Sequence, residues 1–187
     1  MDTPRGVWLD DLTWQEAASR LAADAVVLLP VVWSRPAEVA AHLPIKTATT
    51  IARALGQKLV ERLPVVMASL IEWEGDAESE VPQQRLRECL GALRSRRARR
   101  FAILDVGLAP ARMADIAAEI PVLRVCNGAD ADDYATSCLL AIDPRSVRMA
   151  LLPAGSRAQA FAGERMMAAD VETAADALAL LWNDIRG

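Results

Sequence analysis

Histidine is nearly missing from this sequence: among 187 residues only His42 carries an imidazole. One histidine cannot supply a zinc site of the usual His-rich kind. Cysteine does not make up the shortfall. Cys89, Cys126 and Cys138 are odd in number, widely spaced and without a CxxC pair, and in apolar helix or strand settings they read as small buried hydrophobes. Lysine occurs only at Lys46 and Lys58, arginine supplying the rest of the 21 basic residues, and the net charge is -4. That balance gives no reason to expect a nucleic-acid partner. No apolar run approaches the roughly 18 residues of a membrane span, and the opening MDTPRGVW lacks a basic region followed by an apolar core. No membrane partner is expected, and the expected location is cytoplasmic.

What is present is an ordinary globular composition, 53% hydrophobic and 25% charged, in a length that suits one domain over 1–187. Thr13 followed three residues later by Glu16 makes a capping-box start, with Trp14, Ala17, Ala18, Leu21 and Ala22 at helical spacing after it. The run 25–32, AVVLLPVV, has the continuous apolar character of a strand buried on both faces of a parallel sheet. Residues 47–62 read as a helix with Ile51, Ala54, Leu55 and Leu59 along one stripe, and 64–71 as the next strand. The acidic stretch 73–82 is a loop before a helix over 83–96. Further strands are expected at 101–106 and 121–126, helices at 109–119, 133–141 and 171–185, and an edge strand at 147–152. No internal repeat is present. Strands alternating with helices predict an α/β fold, a mostly parallel sheet with helices on both faces. In such folds ligands sit at the C-terminal ends of the strands, which selects the loops 33–47, 71–79 and 105–110.

The first of these loops, SRPAEVAAHLPIKTATT over 34–50, resembles the creatininase (creatinine amidohydrolase-like) family, whose members carry E-Q-H-G-x-H-L-P-x-x-T-D there. His42, Leu43, Pro44 and Thr47 match, while Ala37, Val39 and Ala48 stand where the family has a glutamate, a histidine and an aspartate. The likeness recurs downstream. After FAILDV the family has N-G-H-G-G-N, and here Gly107 occupies the histidine position. GADADDYATSCLLAIDPRSVRM over 128–149 looks like H-A-G-x-x-E-T-S-x-x-L-A-L-D-P-x-x-V-R-M. There Ala135 replaces the glutamate before Thr136 and Ser137, and Asp130 replaces the histidine. The family's middle loop is cut down to the stretch after Ile71.

The resemblance covers about 12–149 and implies the three-layer creatininase-like α/β fold without its metal ligands. A two-metal amidohydrolase centre needs several carboxylates and imidazoles to hold ions that polarise a carbonyl and activate water. With alanine, valine and glycine at those places no metal and no cofactor is expected. The family's assembly into rings of six built from dimers implies a homo-oligomer.

The remaining polar groups each allow a plain reading and a functional one. His42 is a structural histidine bonded to backbone, or a general base, since its ordinary pKa near 6.5 suits that work. Asp130, Asp132 and Asp133 favour a helix N-terminus, or bind a cation. Lys46 is a surface lysine, or, if buried near Asp105, an anion-binding group beside Thr47. Trp33 and Trp73, expected just beyond two strand ends, floor a pocket or fill the core. Tyr134 would fill space left by a lost ligand, and the run 94–100, RSRRARR, is a solvated helix end rather than a phosphate patch.

Two functions follow, beside the role of a purely structural subunit that the family's ring assembly also implies. One is a creatininase-fold pseudoenzyme that binds a partner protein or active enzyme subunit, or a small-molecule ligand. The other is a metal-independent enzyme acting on a small amide or amine-containing substrate through His42, Asp105, Lys46, Tyr134 or an aspartate from 130 to 133.

Overall fold

Pro30 sits in the middle of the longest strand, and the sheet is built around it. The computed structural model describes residues 6–22, 24–34, 40–74, 81–107, 120–125 and 131–185. Its strands are β1 (Val7–Trp8), β2 (Val26–Ser34), β3 (Val65–Met67), β4 (Ile71–Glu74), β5 (Arg100–Asp105) and β6 (Val122–Arg124). Every pairing is parallel, in the order β1-β3-β2-β5-β6, with β4 also on β2. The Leu28 carbonyl accepts from Ala68 N on one side of β2, and the Val31 carbonyl accepts from Val106 N on the other. Position 30 therefore addresses the side of β3 and β4, where proline has no N–H to give. There the neighbour breaks. One strand was expected over 64–71, but residues 65–67 pair with 26–28 and residues 71–74 pair with 31–34, with 68–70 out of the ladder.

The helices are α1 (Trp14–Ala22), α2 (Thr47–Arg62), α3 (Val81–Ser95), α4 (Ala131–Ile142) and α5 (Ala160–Leu181). The capping box forms as the sequence predicts: Glu16 Oε2 accepts from Thr13 N at 2.8 Å, and Thr13 Oγ1 accepts from Glu16 N at 3.4 Å. Alternation along the strands sorts the core into two layers. Leu28, Val32, Ala102 and Leu104 pack with α2, α4 and α5, while Val27, Leu29, Val31, Phe101 and Ile103 pack with α1 and α3.

Two further expectations change, and a third is not reached. The 147–152 segment is no edge strand but winds into short 3-10 turns at Pro144–Ser146 and Met149–Leu151. The closing helix begins at Ala160 and ends at Leu181, not 171–185. The 109–119 helix lies outside the described residues. The arginine run ends α3 without glycine: Arg97 takes the left-handed conformation at φ 72. Ala98 N then reaches Leu93 O, and Arg97 N reaches Arg94 O, the Schellman pattern with both apolar partners, Leu93 and Ala98, buried. The guanidiniums of Arg96 and Arg94 lie over Trp14 and Phe101 at 4.6 and 5.8 Å, and Arg100 pairs with Asp24 and Asp184. These contacts give Arg94, Arg96 and Arg100 partners within the chain.

Candidate functional site

His42 is 2% exposed, and its Nε2 lies 2.7 Å from Thr136 Oγ1 on α4. Thr136 Oγ1 donates its own proton to Asp132 O at 2.7 Å. The hydroxyl thus acts as acceptor toward the ring, which places a proton on Nε2. The His42 carbonyl in turn accepts from Arg148 N at 2.9 Å. The residue ties three segments together: its own loop, α4 and the turn after Val147. A structural histidine was one of the expected readings, although the ring's partner is a side chain rather than the backbone.

The neighbouring matched residues serve similar ends. Thr47 is buried at the start of α2 and donates from Oγ1 to Pro44 O at 2.6 Å. Ser137 Oγ accepts from Gln159 N at 3.1 Å, setting the entry to α5. Asp143 Oδ1 accepts from Arg145 N at 3.2 Å and caps the 3-10 turn that follows α4. Lys46 is exposed, so the burial beside Asp105 on which its anion-binding reading depended is not met.

Asp133 does lie in the first turn of α4 with Asp132, but its carboxylate reaches outward to another segment. It accepts from Ser156 Oγ at 2.6 Å and from Arg157 N at 3.1 Å. The Ser156 bond first, and the Arg157 amide second, hold its carboxyl below the ordinary carboxylate range. Asp130 lies outside the described residues. Tyr134 is buried, and its hydroxyl donates to Asp170 Oδ2 on α5 at 2.5 Å.

Asp105 ends β5 with the strand parity of Phe101 and Ile103, the α1 and α3 side, whereas His42 and Thr136 belong to the α4 side. Its partner is Arg124, Nε to Oδ2 at 3.7 Å, from the adjoining β6 register position. Trp33 and Trp73, expected beyond the strand ends, lie within β2 and β4 as register partners, and there the backbone alone is described. The structure thus brings His42 to the start of α4, ties Thr47 to Pro44 within the His42 loop, and gives Asp105 and Tyr134 other partners. Sequence reading passed over the partners of Thr136 and Ser137, Arg124, and the Thr49–Glu72 bond of 2.7 Å. The Thr-Ser pair was visible as a matched motif, and the parity of Arg124 on its strand was the available signal for that residue.

Burial raises the Asp105 carboxyl above its ordinary value, with Arg124 pulling it partly back. Folding then penalises the ionised form, fully above the raised value and not at all below the ordinary one near 4. Asp105→Asn is expected to raise Tm near pH 7 by about 2–4 °C, the equivalent of about 1 kcal/mol in a chain of this size. The gain should vanish in acid, well below pH 4. Arg124 is more than half exposed and keeps its hydration. Thermal unfolding followed by circular dichroism across this pH range tests it. An asparagine variant less stable than wild type at neutral pH would show that the ion pair outweighs the burial.

Whether the residues fit a two-metal centre can be judged from the donors present. Ala48 and Ala135 are 5% and 1% exposed and share one apolar cluster with Val32, Val106 and Tyr134. A methyl group offers a metal no lone pair, and neither does Gly107. Among the described residues no three of His, Cys, Asp and Glu are grouped to hold an ion. The donor set does not fit. No helix among the described residues is long and apolar enough to cross a membrane.

No family model and no curated protein sequence matches the chain. Solved structures do. A tryptophan-to-phenylalanine mutant of creatininase aligns with TM-score 0.77 at 17% identity, covering 94% of this chain and 98% of its own. A creatinine amidohydrolase (creatininase) aligns at 0.72 and 15%, covering 94% and 97%. Manganese creatininase aligns at 0.70 and 17%, covering 95% and 99%. Likeness at this identity establishes architecture: the chain has the creatininase fold.

Proposed function

We propose that this is a creatininase-fold protein that does not hydrolyse through a di-metal centre and works by binding, as a pseudoenzyme that engages a partner protein, an active enzyme subunit or a small ligand. The observation that carries this reading is the apolar burial of Ala48 and Ala135, two of the places where the resemblance calls for metal-binding carboxylates. Apolar packing there replaces the lone pairs that would hold ions against a substrate carbonyl. The scaffold residues around them have taken structural work, as His42 with Thr136 and Ser137 with Gln159 do. The rival, a metal-independent enzyme, needs His42, Asp105 and Tyr134 to act on one substrate, and their bonds run to Thr136, Arg124 and Asp170 instead. Exposed Ile45, Met149, Leu151 and Phe161 offer apolar surface to a partner. A homo-oligomer belongs to the same proposal.

Protein purified without chelator and analysed by plasma mass spectrometry is expected to carry zinc, manganese and iron well below one ion per chain, and to leave creatinine intact. Stoichiometric metal together with creatinine hydrolysis would overturn the proposal.

A further inference from the structure

A second feature of the molecule lies away from the emptied motifs, along the sheet edge. Between α2 and β1 a cleft of about 310 Å³ opens, formed by Trp8, Asp10, Asp11, Arg53 and Gln57. That volume falls at the lower end of the range for small-molecule sites. Its floor is preset. A Cβ at Gly56 would come within 2.6 Å of Trp8 Cζ2, so only glycine lets the indole lie this close against α2. The indole N–H donates to Gln57 Oε1 at 3.2 Å, and Gln57 Nε2 donates to Glu61 Oε1 at 3.0 Å. The ring is therefore oriented from two sides. Asp10 is engaged by the Ser69 hydroxyl, from the segment where β3 and β4 are interrupted.

The charges of this cleft set its preference. Neither Asp11 nor Arg53 has a side-chain hydrogen bond or ion pair among the described residues, although both border the same cleft. A guanidinium suits a carboxylate, which it can grip through two parallel N–H bonds. A carboxylate beside an aromatic ring suits an ammonium. We infer that this cleft binds a small zwitterion, with Arg53 on its carboxylate, Asp11 on its ammonium and the Trp8 indole under its carbon chain. The chemical class is an amino acid or an ω-amino acid. The assignment does not depend on the fate of the metal positions, because none of the five residues belongs to the matched motifs.

The test uses the full chain and calorimetric titration with glycine, β-alanine, γ-aminobutyrate and ε-aminohexanoate, set against butyrate and butylamine, which carry one charge each. At least one zwitterion should bind saturably and at least tenfold more tightly than either singly charged compound. Arg53→Gln should erase the advantage over butylamine, and Asp11→Asn the advantage over butyrate. Both side chains are exposed, so Tm should not move. Gly56→Ala, which displaces the indole, should weaken binding as well. The inference fails if no zwitterion binds saturably, or if binding survives both charge substitutions undiminished.

Discussion

Gly163→Ala is expected to lower the stability of this chain by at least about 3 kcal/mol, a fall in Tm of roughly 10 °C for a chain of this length. A Cβ on Gly163 would sit 2.0 Å from Ser137 O and 2.7 Å from Cys138 N. Both are backbone atoms of α4, so no side chain can turn aside. The whole of α5 must move away, and with it Met167, Val171, Ala174, Ala175 and Leu178, which bury against the sheet layer. Tyr134 would part from Asp170, and Ser137 from the start of α5, since both bonds span the two helices. Loosening α4 then reaches Thr136 and the His42 that it holds. Gly91→Ala on α3 is the control, because a Cβ there meets nothing within 4 Å, and the same substitution should stabilise by up to about 1 kcal/mol. Thermal and denaturant unfolding of both variants compares the two signs. A Gly163→Ala chain as stable as wild type would mean that α4 and α5 do not pack backbone to backbone.

The sequence carried the sheet more clearly than its edges. AVVLLPVV and FAILDV became β2 and β5 because central parallel strands are apolar on both faces, a pattern that needs no neighbour to be read. Helix α2 came out at its expected bounds, since its apolar stripe sets one end and Leu63 leaves the helix at the other. The broken strand after Pro64 was not legible, because its break comes from Pro30, more than thirty residues earlier, acting across the ladder. Val147 and its neighbours were misread for a related reason. Their apolar character belongs to a turn bound to His42 through Arg148 N, not to a strand pattern. Within the candidate site, the matched Thr136 and Ser137 were visible as a motif while their partners were not. A hydrogen bond across 94 residues leaves no local trace. Asp105 was grouped with His42 because both follow strand ends, and strand parity separates them. The cleft at Trp8 went unnoticed because it joins a two-residue strand to the flank of α2, and neither alone has a pattern.

Ala135→Glu restores the side chain that the resemblance places before Thr136, and it is expected to destabilise the protein by about 3–5 kcal/mol rather than recreate a metal site. Ala135 is 1% exposed, within a cluster that includes Ala48, Val106 and Val125. A carboxylate inserted there would be an unpaired charge in an apolar surrounding, and such charges cost several kcal/mol. The sign of the pH dependence separates charge from bulk. Burial would raise the folded pKa of the new glutamate, so its penalty is complete at neutral pH and disappears below the ordinary value near 4.3. The gap to wild type in denaturant unfolding should therefore narrow as pH falls toward 4, leaving only the steric part. Ala135→Gln should show a gap that does not change with pH. Added zinc or manganese should rescue neither variant, because Ala48 and Gly107 still bring no donor. If Ala135→Glu proved as stable as wild type, or if metal restored it, the surroundings of Ala135 would be open and polar, and the case for a binding protein built on the apolar burial there would fall with it.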